Sequence, residues 1–219
     1  MLSLSRLVRG LSALFWGLPI ALVVCVQTGK TSLLGGTGIL PPLIATALPV
    51  YGLILMFRFQ RQERVWRNAL DRTLFLGFAN VGLSPFLYWW RLVPEESHYR
   101  LAVGVLALSG LLFLFNLNQT LLRLAAMLPD ETLRMEARMF TTLNRVLVLF
   151  ILTVAALWFL ALNWRPTPAW LMPVLSLMAR PGLVLLLLTV LLPVAMSMAL
   201  IWKIKETVLL SVFSQENRS

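Results

Sequence analysis

The sequence predicts an all-α polytopic membrane protein, with six transmembrane helices and both termini on the cytoplasmic side. Three observations predict it. First, 59% of the 219 residues are hydrophobic and 13% are charged, with a mean hydropathy of +0.82. A soluble domain is about half apolar and about a quarter charged, so this chain has too little polar surface to cover a globule in water. Second, six apolar segments approach the length of about 20 residues that a helix needs to cross a bilayer core. They lie near 7–27, 38–57, 73–90, 101–122, 146–163 and 183–202, and no Asp, Glu, Lys or Arg falls in the middle of any of them. Third, the basic residues alternate between junctions.

That alternation sets the orientation. Fourteen of the nineteen Lys and Arg residues lie at the N-terminus (Arg6, Arg9), in the second loop (Arg58, Arg61, Arg64, Arg67, Arg72), in the fourth loop (Arg123, Arg134, Arg138, Arg145) and in the tail (Lys203, Lys205, Arg218). The odd loops hold the other five: Lys30, Arg91, Arg100, Arg165 and Arg180. Cytoplasmic loops carry the basic excess, so both termini face the cytoplasm of a bacterial inner membrane. The same placement accounts for the net charge of +10 without nucleic acid.

Taken in order, the first span reads as an uncleaved signal anchor, because no small-x-small cleavage site follows it. Its single Cys25 is a small hydrophobe there, with no second cysteine to pair with. Gly10, Ala13, Gly17 and Ala21 lie along one side. Small residues at this spacing let helices approach closely in lipid, so this is a packing face, internal or to a partner. The Gly29-Lys30-Thr31 string after it lacks the first glycine of a phosphate-binding loop, since Val24 stands there.

The second span ends in an arginine-rich loop. Arg58, Arg61, Arg64 and Arg67 recur every three residues, with Val65, Trp66 and Leu70 expected to dip into the interface. Each basic residue near anionic headgroups contributes about 1 kcal/mol, so these four are candidate docking residues for lipid or a partner. Tyr88, Trp89 and Trp90 end the third span at headgroup depth, as Trp164 and Trp202 do for the fifth and sixth. The short outer loop holds Glu95-Glu96-Ser97-His98-Tyr99-Arg100. This string is similar to the first motif of the CAAX-type intramembrane metalloproteases. Their chemistry needs further histidines on other helices, and His98 is the one histidine of this chain.

Polar residues inside the third and fourth spans form the last group. Asn80 and Ser84 share a face of one, and Ser109, Asn116 and Thr120 share a face of the other. An amide in hydrocarbon is costly, so these side chains face protein or water. Counted from Arg72 and Arg123, Asn80 and Asn116 sit at matching depths of roughly 10–12 Å, which predicts that they face each other. The fourth loop has no glycine, and Pro129-Asp130-Glu131 is its one break. That predicts a helical hairpin over 123–145, standing off the cytoplasmic surface, with a helix start near Asp130. From Pro166 to Arg180 the chain is apolar but proline-broken and too short to cross and return, so an outer-face interfacial or re-entrant segment is expected near 166–180. Leu48-Pro49-Val50 and Leu192-Pro193-Val194 sit at similar depths in the second and sixth spans and hint at an internal repeat.

No intramembrane carboxylate, Ser-His pair, H-E-x-x-H or C-x-x-C string is present. The expectation is therefore a non-catalytic membrane subunit or scaffold without cofactor or metal. Its partners are anionic headgroups on the cytoplasmic face and another protein in the membrane. The small-residue face on a compact, basic, six-span chain resembles the coupling surface of the substrate-binding subunits of energy-coupling-factor vitamin transporters. That likeness covers overall topology and one common motif. It implies the alternative: a membrane subunit of an ATPase-driven transporter, or its substrate-capturing component.

Overall fold

A computed structural model describes residues 2–30, 37–57, 59, 63–128, 130–163 and 182–216. The described residues are helical, without strands. In chain order the helices are α1 (Leu2–Lys30), α2 (Leu40–Met56), α3 (Arg64–Leu83), α4 (Phe86–Leu92), α5 (Ser97–Ala126), α6 (Glu131–Asn163) and α7 (Gly182–Glu216). The segment near 166–180, Arg58 and Arg61 lie outside the described residues. Among the described residues two helices, Leu4–Lys30 and Ser97–Ala126, are long and apolar enough to cross a membrane, and Leu40–Met56 is a shorter apolar helix.

Successive helices lie side by side. α1 packs on α2, α2 on α3, α3 on α5, and α5 on α6, while α7 closes against α1, α5 and α6. Leu7, Leu11 and Leu14 of α1, Leu53 and Met56 of α2, Leu117, Leu121 and Leu124 of α5, and Leu200, Ile201 and Ile204 of α7 form the centre of one core.

Several elements differ from the sequence expectation. The arginine-rich stretch expected as a loop over 58–72 is helical from Arg64 onward. No glycine or proline interrupts it, and its apolar residues have helical period. Trp66, Leu70, Thr73 and Gly77 share the buried face of α3. Trp66 and Leu70, expected at the interface, are therefore core residues, each 1% exposed. Only Val65 of that trio faces outward.

The third apolar segment is two helices, not one. Pro85 has no N–H to give to the Val81 carbonyl, so the α-helical ladder stops. The Ser84 hydroxyl takes that carbonyl instead, at 2.9 Å. The turn then tightens as α4 begins, with Leu87 N donating to Ser84 O and Tyr88 N to Pro85 O.

α5 ends in a short turn, and α6 starts where Asp130 caps it. The Asp130 carboxylate accepts from the Thr132 and Leu133 amides at 3.0 and 3.2 Å, and from the Thr132 hydroxyl at 2.6 Å. Those bonds, the Thr132 hydroxyl first, hold the Asp130 carboxyl below the usual carboxylate range. Across the turn Arg134 Nη2 donates to the terminal carbonyls of Ala126 and Leu128 at 3.2 and 3.4 Å. The hairpin does not stand clear of the bundle over 123–145. Asn144 and Asn118 both reach Ser197, so residues 139–145 of α6 run beside residues 117–123 of α5. Leu124, Ala125, Leu133 and Ala137, on either side of the turn, are buried in the common core.

Candidate functional site

The polar side chains inside this bundle are where a ligand path or a helix–helix contact must be read. Three groups of them join helices. In the first, Thr73 of α3 and Thr120 of α5 bring their hydroxyls to 2.9 Å. Each is also within bonding distance of its own helix carbonyl, Ala69 O and Asn116 O. Each hydroxyl has one proton, so one donates across and the other back. In the second, Thr46 of α2 stands 3.3 Å from the Ser84 hydroxyl and donates to Pro42 O at 2.7 Å.

The third joins three helices. Ser197 of α7, fully buried, donates to Pro193 O at 2.7 Å. Asn118 Nδ2 of α5 and Asn144 Nδ2 of α6 donate to Ser197 Oγ at 2.8 and 3.3 Å. The serine oxygen is thereby saturated, while Asn118 Oδ1 and Asn144 Oδ1 are buried without a partner among the described residues.

These contacts fix the register, and the register places the expected residues. With Thr73 beside Thr120, Asn80 lies level with the region of Phe113, and Asn116 lies level with Gly77. The two amides expected to pair do not. Asn116 Nδ2 donates to Leu112 O of its own helix at 2.9 Å, and the buried Asn80 Oδ1 has no partner among the described residues. The depth count failed because Arg72 and Arg123 are not the helix ends; the offset is about one turn, roughly 5 Å. Ser84 and Thr120 take part in interhelical contacts, and Ser109 is buried with its hydroxyl unpartnered among the described residues.

The small-residue face of α1 meets α2. A Cβ added at Gly10 would stand 2.7 Å from the Gly52 carbonyl oxygen, and one added at Gly17 would stand 3.1 Å from Pro49. Ala13 and Ala21 of the same face are half-buried. Arg64 and Arg67 are exposed on α3, and Arg67 lies 5.5 Å from the Phe57 ring centre. At the start of α5, His98 Nε2 is 3.9 Å from Oε1 of Glu96 in the preceding turn, and both are exposed. Among the described residues no three of His, Cys, Asp and Glu come together.

Carried along the helices, the same register sets Arg72, Arg123 and Arg138 within about one turn of a common level, together with Met56 and Trp202. At that basic end, between α3 and α5, an open groove of about 470 Å³ is lined by Asp71, Arg72, Phe75, Leu76 and Asn116. Its accessible surface is nearly all apolar, and Asp71, Arg72 and Asn116 border it.

Sequence reasoning missed Thr46, Thr73, Asn118, Asn144 and Ser197. A signal existed for two of them: Pro42-x-x-x-Thr46 and Pro193-x-x-x-Ser197 each put a hydroxyl four residues after a proline, where it returns to the proline carbonyl. Asn144 was hidden by its assignment to a loop. Comparison with protein-family models, with characterised proteins and with solved structures finds no match.

Proposed function

We propose that the chain is a six-span membrane protein with both termini on the basic, cytoplasmic face, serving as a non-catalytic subunit or scaffold of a larger membrane complex. Membrane residence rests on where the apolar surface lies. Only 33% of the apolar window in each of the two long helices is buried, whereas the core helix of a soluble protein is mostly buried. Phe75, Leu101, Ile44 and Trp16 are each more than 60% exposed. Such a girdle is unfavourable in water and ordinary against lipid. In this reading α3 and α4 together make the third span.

The scaffold reading is carried by one observation: the buried polar side chains join helices to one another. Thr73 meets Thr120, and Asn118 and Asn144 meet at Ser197. A transport subunit would instead line an enclosed polar path with such groups. The exposed Arg64 and Arg67 on α3 are the docking surface for anionic headgroups or a partner.

Two experiments test this. Reporter fusions after Arg67 and after Arg138 should read cytoplasmic, and one after Glu96 should read exterior; an exterior signal from either of the first two removes the topology. Purification in mild detergent should recover a stoichiometric membrane partner. Recovery of the chain alone, with uptake of a solute on reconstitution, would replace the scaffold by the transport reading.

A further inference from the structure

The groove between α3 and α5 combines three features. It opens at the basic end of the bundle, at the level shared by Arg72, Arg123 and Arg138. The groove itself is nearly all apolar, and it is bordered by two adjacent charged residues, Asp71 and Arg72, both exposed. Among the described residues neither side chain is held in an ion pair or hydrogen bond. Its floor is Phe75, 73% exposed, and Leu76, and the same outward face of α3 continues to Phe78. Asn116 stands on the α5 side, about five residues or roughly 7 Å deeper than Arg72. Its Nδ2 gives one hydrogen to Leu112 O, which leaves its second amide hydrogen and its carbonyl oxygen for a ligand.

We propose that this groove holds one phospholipid whose head carries both a phosphate and a primary ammonium, an ethanolamine-type lipid. The proposal rests on the membrane-spanning reading above. Arg72 takes the phosphate, as a fork of N–H donors suits its oxygens. Asp71 takes the ammonium. Asn116 lies at the depth of the glycerol esters and donates its second amide hydrogen to an ester carbonyl. Phe75 and Leu76 carry the start of one acyl chain, which runs on past Phe78. Charge complementarity selects this head over its neighbours. A purely anionic head meets Arg72 but is repelled by the carboxylate one residue away. A choline head has no N–H to give to Asp71.

The test uses the whole protein in mild detergent, with phosphatidylethanolamine, phosphatidylcholine and phosphatidylglycerol of identical acyl chains added in turn. Bound lipid is counted by native mass spectrometry. Ethanolamine lipid should be retained about fivefold over either competitor, the scale of one charge-assisted contact near a surface. Asp71→Asn should bring it down to the choline level. Arg72→Gln should lower all three lipids, and Arg138→Gln, at the same level on another helix, should change nothing. Equal retention of ethanolamine and choline lipids overturns the proposal, as does preference for the glycerol lipid that Asp71→Asn strengthens. The exposed substitutions leave the core intact, and an unchanged melting curve for each verifies it. Carbonate washing of the membranes separates the two readings. A chain released by the wash defeats the membrane reading itself, whereas a retained chain without lipid selectivity defeats only the groove.

Discussion

Gly10→Ala is the sharpest test of the packing. Gly10 of α1 crosses Gly52 of α2 with backbone nearly touching backbone. An alanine Cβ at 10 would stand 2.7 Å from the Gly52 carbonyl oxygen and 2.7 Å from Met56 Cγ, where ordinary contact begins at 3.4 Å. Met56 can turn aside, but a helix carbonyl cannot, so the two helices must part by about 0.7 Å at the crossing, the difference between those distances. The parting loosens Leu7, Leu11 and Leu14 from Leu53 and Met56, all now buried. Overpacking of this kind costs about 1–3 kcal/mol. Replacing glycine in a helix interior returns up to about 1 kcal/mol of propensity. The net loss is about 0–2 kcal/mol. Gly110→Ala, on α5 where nothing lies within 4 Å, receives the propensity gain alone. The propensity gain is common to both, so the two variants should separate by the overpacking cost, about 1–3 kcal/mol, in thermal or denaturant unfolding in detergent. Gly52→Ala should repeat the Gly10 result, since its Cβ would lie 2.8 Å from Gly10 O. The double variant should cost less than the sum, because both move the same pair of helices. If Gly10→Ala is as stable as Gly110→Ala, the close crossing does not exist.

Three further outcomes follow from the polar contacts. Ser197→Ala removes the acceptor for two buried amides and should cost about 1–3 kcal/mol in the same unfolding assay; a variant as stable as the parent would mean that the α5–α6–α7 junction is not held there. Asn80→Leu should be neutral or stabilising, because Asn80 Oδ1 is buried without a partner among the described residues, and a clear loss would mean that the amide is bonded. Asp130 has its folded-state pKa depressed by the Thr132 hydroxyl and the helix amides, so its contribution is full above the ordinary carboxylate pKa and is lost as pH falls through the lower folded value. The protection of the Thr132 and Leu133 amides, their exchange measured against the intrinsic rate at each pH, should hold through about pH 4, the ordinary carboxylate value, and fall only below it; a fall well above that point would contradict the cap.

The sequence by itself determined the helical class, the apolar segments and which junctions between them gather the basic residues. Those properties follow from composition, from 3.6-residue periodicity and from the position of charge, all of which are local. It also exposed the small residues of α1, because glycine at four-residue spacing has a steric meaning wherever it occurs in a helix. The tertiary structure decided everything that depends on register. Asn80 and Asn116 miss each other by about one turn because Thr73 and Thr120 set the offset of α3 against α5, and no spacing within either helix encodes that offset. Trp66 and Leu70 read as interfacial beside four arginines, yet they are core residues because α3 is already helical at Arg64 and sets them on the buried face with Thr73 and Gly77. Ser197 gained two amide partners from helices 53 and 79 residues away in sequence. Such a junction exists only once three helices are laid side by side, because contact between helices is a matter of relative height and rotation, and a chain read residue by residue carries neither.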